Sequence, residues 1–207
     1  MITLYGSPLS SASRCIWLLE EIGVPYELKA VDMPNKEHKS PAFLKINPNG
    51  KVPAMVDGNV TLFESCAINL YLADAYKKDL LGKSVAERAL VNQWSIWVLT
   101  ELQTPIIDIY IQKFFVPAEH INQKLIDASL AKLPNLFSIL DKGLSGKKYL
   151  SGNDFTIADV NVGSIATIAP KIGIDLKEYP NLLKWVMTIA ERPAHQKYVS
   201  LATNTAK

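Results

Sequence analysis

The feature that most constrains this chain is a change in hydrophobic periodicity near residue 80. Before it, short β-rich runs such as MITLY and VTLFE alternate with turn residues and helical patterns. After Val85, apolar residues recur at three- and four-residue spacing, as they do in amphipathic helices. This order predicts an α/β domain followed by an all-α helical bundle domain. We place the two domains at residues 1–78 and 85–207, with KKDLLGKS as the linker.

The first part is predicted to be a β-α-β unit followed by a loop and a β-β-α unit. The run ASRCIWLLEEIG indicates a helix that ends at Gly23, between the strands MITLY and VPYELKAVDM. After a polar, proline-containing segment, the strands VPAMVD and VTLFE form a hairpin across Asp-Gly-Asn. A helix is expected to begin at Ser65 or Cys66 and to continue to about Tyr76.

The second part carries helical patterns that prolines interrupt. Pro105 is expected to kink or divide one long helix, and Pro134 to disturb a second. A later helix, LLKWVMTIAERP, is expected to stop before Pro193. Thr156 and Asp159 have the spacing of a capping box, although Asp is shorter than the usual partner. We interpret this pair as a helix-start device without a catalytic role.

Composition excludes several classes of protein. With 207 residues, 48% hydrophobic and 20% charged, the chain predicts packed globular domains. A net charge of +2 gives no case for binding nucleic acid or membranes. The N-terminus lacks a signal-peptide pattern, and no apolar run approaches the roughly 20 residues that span a bilayer. We therefore expect a cytoplasmic protein.

Cysteine and histidine usage gives no metal-ligand pattern. Cys15 and Cys66 lack metal-ligand spacing, and His38, His120 and His195 lie far apart in the sequence. We therefore expect neither a metal nor a disulfide. Both cysteines fall in apolar helical patterns and are interpreted as small buried residues.

Four motifs together carry a family resemblance: GSPLSSASR, EHKSPAFLKINPNGKVPAMVDG, LFESCAINLYL and FTIADV. Their types, order and spacing resemble the cytosolic glutathione S-transferase family, in particular its phi- and theta-like, serine-type branches. The resemblance covers essentially the whole chain. It implies a thioredoxin-like N-terminal domain, an all-α domain with a pocket for a hydrophobic substrate, glutathione as co-substrate without a metal, and a homodimer.

The resemblance also implies the residues that bind glutathione. They are His38, Lys39, Lys51, Val52, Pro53, Glu64 and Ser65. Pro53 is expected to follow a cis peptide bond, with the Val52 backbone pairing with the cysteinyl backbone of the ligand. Glu64 suits the γ-glutamyl ammonium. Ser65, whose hydroxyl is also expected to cap the helix that begins there, suits the carboxylate. The three cationic side chains suit the glycyl carboxylate.

The catalytic group is expected to be a hydroxyl that donates a hydrogen bond to sulfur. Such a bond lowers the thiol pKa from its ordinary value of about 8.5. The resemblance points to Ser10, while Ser11, Ser13 and Tyr5 remain alternatives. No cysteine stands at this point, unlike in branches that form mixed disulfides with glutathione.

The resemblance implies a detoxification enzyme that conjugates the glutathione thiolate to hydrophobic electrophiles. Alternatives are a glutathione-dependent peroxidase or disulfide reductase, and a non-catalytic binding scaffold of the same fold. A pocket facing Ser10 is one expectation for a set of aromatic residues, although aromatic residues at helical spacing more often form plain core. They are Trp94, Trp97, Tyr110, Phe114 and Phe115.

Overall fold

A computed structural model describes residues 1–205 and divides the chain into two compact units. The first contains Met1–Leu81 together with the segment from Glu191 onward, and the second is Gly82–Ala190. The sequence analysis assigns all of 85–207 to the helical domain. The last helix of the described chain belongs to the same compact unit as the N-terminal residues.

The first unit is built on a four-stranded mixed sheet within the described residues. Its strands are β1 (Ile2–Tyr5), β2 (Tyr26–Lys29), β3 (Ala54–Asp57) and β4 (Val60–Phe63). Their order in the sheet is β2-β1-β3-β4, with β1 parallel to β2 and antiparallel to β3, which is antiparallel to β4. This confirms the thioredoxin-like arrangement predicted from the sequence.

Three helices accompany the sheet: α1 (Ser13–Ile22), α2 (Pro41–Leu44) and α3 (Ser65–Tyr76). The run from Cys15 to Leu19 in α1 is fully buried, which explains its unbroken apolar character. The helix ends where the sequence predicts, at Gly23, whose φ of 81° is the left-handed conformation that glycine adopts without strain. Helix α3 packs against α1.

The second unit is helical. Its helices are α4 (Val85–Trp97), α5 (Gln103–Phe114), α6 (Gln123–Leu130), α7 (Leu133–Leu144), α8 (Ile157–Ala166) and α9 (Pro180–Ala190). Every residue of α8 is buried, and α4, α5 and α9 pack around it. The core of this unit is therefore centred on α8.

The prolines divide the helices as predicted. A π-helical segment, Val98–Leu102, joins α4 to α5 just before Pro105. Pro134 lies in the first turn of α7, where a missing N–H costs little. Short 3₁₀ turns occur in the connections at Glu37–Lys39, Lys78–Leu81, Ala118–His120 and Pro170–Ile172.

The C-terminal helix α10 (Pro193–Thr205) packs against α1. Just before it, Arg192 forms a bidentate ion pair with Glu21, at 2.6 and 2.7 Å. His195 of α10 is buried with its ring edge-on to Trp17, at a centroid separation of 4.6 Å. These contacts join residues far apart in the sequence, which is why local periodicity did not assign the helix to the first unit.

Candidate functional site

Three chain segments lie next to one row of paired residues in the sheet. Tyr5 on β1 pairs with Ala54 on β3, and Ala54 pairs with Phe63 on β4. The loop after β1, the segment before β3 and the turn after β4 therefore meet at one edge. The sequence-predicted residues Ser10, Val52, Pro53, Glu64 and Ser65 all lie in these segments.

The Ser10 hydroxyl is held by the main chain of its own loop. Its Oγ donates to the Ser7 carbonyl at 2.8 Å and accepts from the amides of Ser7 and Ala12, each at 3.2 Å. The loop leads into α1, so the positive end of the helix dipole lies close by. Two amide donors on one oxygen make the hydroxyl a stronger donor to an anion.

The alternative hydroxyls occupy different surroundings. Ser11 is exposed, and Ser13 is the first residue of α1. The Tyr5 ring packs edge-on against Phe43, with ring centroids 6.0 Å apart. Of these groups, Ser10 is the one whose oxygen the main chain holds in place.

Gly6 brings the β1 loop close to the segment before β3. A Cβ at Gly6 would lie 2.6 Å from the Ala12 Cβ, 3.4 Å from Ser10 Oγ and 3.5 Å from the Val52 Cβ. The residue also has a φ of 144°, which L side chains rarely adopt. Glycine is required here, and both Ser10 Oγ and the Val52 side chain lie next to it.

The Val52–Pro53 peptide bond is cis, as expected from the sequence. Within the described residues, neither the N–H nor the C=O of Val52 has a hydrogen-bond partner. Unpaired main-chain groups beside a sheet are available to an extended ligand that adds as a further strand.

The Glu64–Ser65 corner joins β4 to α3 with a strained backbone. Glu64 has φ 70° and ψ 110°, a conformation that is unfavourable for any residue with a Cβ, and its side chain is exposed. Ser65 is the first residue of α3, and its hydroxyl has no hydrogen-bond partner among residues 1–205. Strain that persists at a polar corner commonly marks a functional site.

One sequence expectation about this corner is wrong. The hydroxyl of Ser65 was expected to cap α3 as well as to bind a ligand. The structure instead places Glu64 at the N-cap position, and no side chain caps the helix. The amides of the first turn are consequently left without a side-chain acceptor, which strengthens the corner as an anion site.

The predicted cations come together in the loop before β3. A Cβ on Gly50 would lie 2.7 Å from Lys39 Nζ and 2.8 Å from the His38 carbonyl, and Lys51 follows directly. Lys39 Nζ donates to the Asn49 carbonyl at 3.1 Å. The Nδ1 atom of His38 is buried without a hydrogen-bond partner among the described residues. The loop therefore carries two exposed lysines together with an imidazole nitrogen that has no partner among residues 1–205.

Asn47 fixes this loop and was missed by the sequence analysis. Its side chain is buried, donates to the Lys51 carbonyl at 2.6 Å and accepts from the Asn49 amide at 3.0 Å. Its carbonyl also accepts from the Gly50 amide. The Asn-Pro-Asn-Gly turn signal marks the position, but it does not reveal that the amide faces inward.

Arg14 is a second residue that the sequence analysis did not identify. Its side chain is 1% exposed, and Nη1 donates to Cys66 Sγ at 3.5 Å. Burial raises the pKa of the Cys66 thiol, while Arg14 acts in the opposite direction. Burial also raises the pKa of Cys15, which is fully buried. Both cysteines are thus buried, as predicted.

The aromatic residues of the second unit fall into two groups. Trp94 is 5% exposed and packs against the backbone of Gly143, so it belongs to the core. The half-buried Trp97 ring lies edge-on to Trp94, with ring centroids 5.4 Å apart. Phe114 and Phe115 are 55% and 58% exposed, and both rings contact Tyr110. The second group is an exposed apolar cluster.

The capping box in the second unit is confirmed. Asp159 is fully buried and its carboxylate accepts from the Thr156 amide at 3.0 Å. It also accepts from the Leu150 amide at 3.0 Å and from Trp185 Nε1 at 2.9 Å. Burial raises its pKa to about 6 despite these donors. Asp159 thus ties the start of α8 to α9.

Two features are absent from the described residues: a metal-binding cluster and a membrane-spanning helix. Among residues 1–205, no group of three or more His, Cys, Asp or Glu side chains is placed to hold a metal ion. None of the described helices has the length and apolar character needed to cross a membrane.

Comparisons with known proteins match nearly the whole chain. The family model described as glutathione S-transferase, N-terminal domain, matches residues 1–74, and the model for the C-terminal domain matches residues 105–193. The chain is 34% identical to glutathione S-transferase 1 of Zea mays, over 98% of each chain. It is 33% identical to glutathione S-transferase F9 of Arabidopsis thaliana, over 97% of each.

Solved structures also resemble this chain over nearly its full length. The structure of glutathione S-transferase-I bound with lactoylglutathione superposes with a TM-score of 0.90 at 33% identity, covering 97% of this chain and 99% of that one. A theta class glutathione S-transferase from Xanthomonas axonopodis pv. citri, with glutathione bound, gives a TM-score of 0.89 at 33% identity, covering 96% of each chain.

Proposed function

This chain belongs to the glutathione S-transferase family, and we propose that it conjugates the thiolate of glutathione to small hydrophobic electrophiles. The observation that carries the proposal is one sheet edge where Ser10, the Val52 main chain and the Glu64–Ser65 corner meet. Each part suits a different portion of a γ-glutamyl tripeptide.

The Glu64–Ser65 corner is proposed to hold the γ-glutamyl group. The α-carbon of that group carries an ammonium and a carboxylate. The exposed Glu64 carboxylate is placed for the ammonium, and the Ser65 hydroxyl with the uncapped amides of α3 is placed for the carboxylate. Ligand binding would satisfy groups that the protein alone leaves unpaired.

The Val52 main chain is proposed to pair with the cysteinyl residue. Its free N–H and C=O match the backbone of an extended peptide, as in strand addition. Because Ser10 Oγ and Val52 both lie next to Gly6, we expect the ligand sulfur to face the hydroxyl. The adjacent loop supplies His38, Lys39 and Lys51 for the glycyl carboxylate, with the unpartnered His38 Nδ1 favouring a ligand there.

Ser10 is proposed to activate the thiol. The hydroxyl rotates from the Ser7 carbonyl to donate to sulfur, while the amides of Ser7 and Ala12 continue to donate to its oxygen. This favours the thiolate and lowers the thiol pKa. The thiolate then attacks an electrophilic carbon, a C–S bond forms, and the leaving group departs to solvent.

The exposed cluster of Tyr110, Phe114 and Phe115 is proposed as apolar surface for the electrophile. Trp94 is not included, because it is core. The peroxidase or disulfide-reductase alternative receives no support from the cysteines, since both are buried and burial raises the pKa of both thiols.

Homodimer assembly and a cytoplasmic location remain part of the proposal. Light scattering tests the dimer.

Steady-state kinetics test the conjugation. We expect turnover of glutathione with an activated aryl halide, and a loss of at least about tenfold in kcat/KM for Ser10→Ala near pH 6.5, where little free thiol is ionised. Ser11→Ala, an exposed neighbour, is the matched control and should retain the wild-type rate. Faster turnover with an organic hydroperoxide or a disulfide would favour the alternative enzyme. Absence of glutathione binding would favour a scaffold.

A further inference from the structure

The second unit contains a cavity that has no part in the proposed conjugation. Its volume is about 480 Å³, within the range of small-molecule sites. Its lining, which we call the lysine cleft, consists of Gly146, Lys147, Lys148, Asn181, Lys184, Trp185 and Thr188. One wall is the loop after α7, and the other is a single face of α9, because positions 181, 184, 185 and 188 recur at helical spacing.

Hydrogen bonds fix both walls, and in the loop wall the Lys147 amide donates to the Leu144 carbonyl at 3.0 Å. The Asp141 carboxylate accepts from the amides of Asn181 and Leu182 and so holds the start of α9 against α7. Trp185 is 2% exposed and is held through Nε1 by the buried Asp159. The lysine cleft is therefore preformed, which reduces the entropy lost when a ligand binds.

The cleft concentrates positive charge. Lys147, Lys148 and Lys184 are exposed, and within the described chain none of them lies within 4.0 Å of a carboxylate. Lys147 Nζ donates only to the Gly143 carbonyl. The lining itself holds no acidic residue and carries three positive charges in a chain whose total is +2. The Asp141 carboxylate adjoins the lining through Asn181, but its oxygens already accept from Asn181 and Leu182. Like charges around one cavity repel one another, and an anion relieves the repulsion.

We propose that the lysine cleft binds a small organic anion with two or more neighbouring negative charges, such as a phosphate monoester or a polycarboxylate. Three ammonium groups act as point-charge donors. The other polar side chains of the lining are engaged within the protein, because Asn181 Nδ2 donates to Asp141 Oδ2 at 3.1 Å and the Thr188 hydroxyl donates to the Lys184 carbonyl at 2.8 Å. The cleft lies in the second unit, whereas the glutathione residues lie in the first. It is a separate site for a separate ligand.

Isothermal titration calorimetry with pyrophosphate and with citrate tests the proposal. Saturating S-methylglutathione is included so that the glutathione site cannot take up the probe. We expect a Kd of about 1 mM or tighter, and a rise in Tm when the probe exceeds Kd. Lys184→Gln should weaken binding about fivefold, and the Lys147→Gln/Lys184→Gln pair about 25-fold. Acetate, with one charge, should bind far more weakly.

The control variant is Lys124→Gln, an exposed lysine on α6 that does not line the cleft. It should bind both probes like the wild type, and all variants should retain glutathione conjugation and Tm without probe. Absence of binding at about 20 mM probe would overturn the proposal. Equal weakening in Lys124→Gln and Lys184→Gln would also overturn it, because it would show non-specific attraction.

Discussion

The starts of α3 and α8 each place a carboxylate beside a hydroxyl, yet they are built in opposite ways. At α8, the Asp159 carboxylate is buried and accepts from the Thr156 amide and from Trp185 Nε1. At α3, the Glu64 carboxylate is exposed on a backbone with φ 70°, and the Ser65 hydroxyl has no partner among residues 1–205.

The difference separates a folding device from a binding device. A helix start whose donors and acceptors are all satisfied internally contributes to stability. One that keeps strain and unpaired polar groups loses stability, and it persists where a ligand uses those groups. Substitutions at the two starts should therefore have opposite consequences for folding and for binding.

The largest effect is expected for Asp159→Ala. It leaves the donors of Leu150, Thr156 and Trp185 buried without an acceptor, so the free energy of unfolding should fall by about 3–4 kcal/mol. Urea denaturation measures this loss. Glutathione affinity of the folded fraction should be unchanged.

Asp154→Ala is the matched control, because Asp154 is an exposed aspartate that pairs only with Lys83 on the surface. It should change stability by less than about 0.5 kcal/mol. If Asp159→Ala were equally mild, α8 would not depend on its capping box and the contrast would fail.

Ser65→Ala comes second and should act on binding. Losing a hydroxyl that donates to a carboxylate should weaken glutathione binding about 10- to 100-fold, measured by calorimetry. Stability should be unchanged, because the hydroxyl has no partner within the described protein. Ser200→Ala, an exposed serine on α10, should alter neither property. A loss of stability without a loss of affinity would show that Ser65 serves folding.

The smallest effect is expected for Glu64→Gly, and it sharpens the comparison. Glycine lacks the Cβ that makes φ 70° and ψ 110° costly, so the free energy of unfolding should rise by about 1 kcal/mol. Glutathione should bind more weakly, since the ammonium loses its carboxylate. Glu64→Gln, which keeps the strain and removes the charge, should lose affinity without gaining stability. A lower free energy of unfolding in Glu64→Gly would contradict the claim that the Glu64 backbone is strained.

Much of this comparison was predictable from local sequence. The architecture of the first unit was predicted from its alternating strands, the apolar run of α1 and the stop at Gly23. The capping box was predicted from the spacing of Thr156 and Asp159. The Glu64–Ser65 corner was predicted as a binding position. Its uncapped geometry was not, because which residue becomes the N-cap depends on how β4 enters α3.

Other features depend on contacts between distant residues, which a local pattern does not reveal. Asn47 acts through an inward-facing amide that closes a turn onto Lys51. Helix α10 is placed by its packing on α1 and by the ion pair of Arg192 with Glu21. Arg14 directly precedes the apolar run of α1, and this position could have identified it from the sequence as unusual, because a buried arginine is rare.

The central claim is that Ser10 activates bound glutathione, and an ultraviolet difference titration of the bound thiol tests it most directly. Thiolate absorption is followed across pH in the wild type, Ser10→Ala and Ser11→Ala, each saturated with glutathione. We expect a thiol pKa clearly below about 8.5 in the wild type and in Ser11→Ala, and a value near 8.5 in Ser10→Ala. An unshifted pKa in the wild type, or the same lowered pKa in Ser10→Ala, would contradict the account.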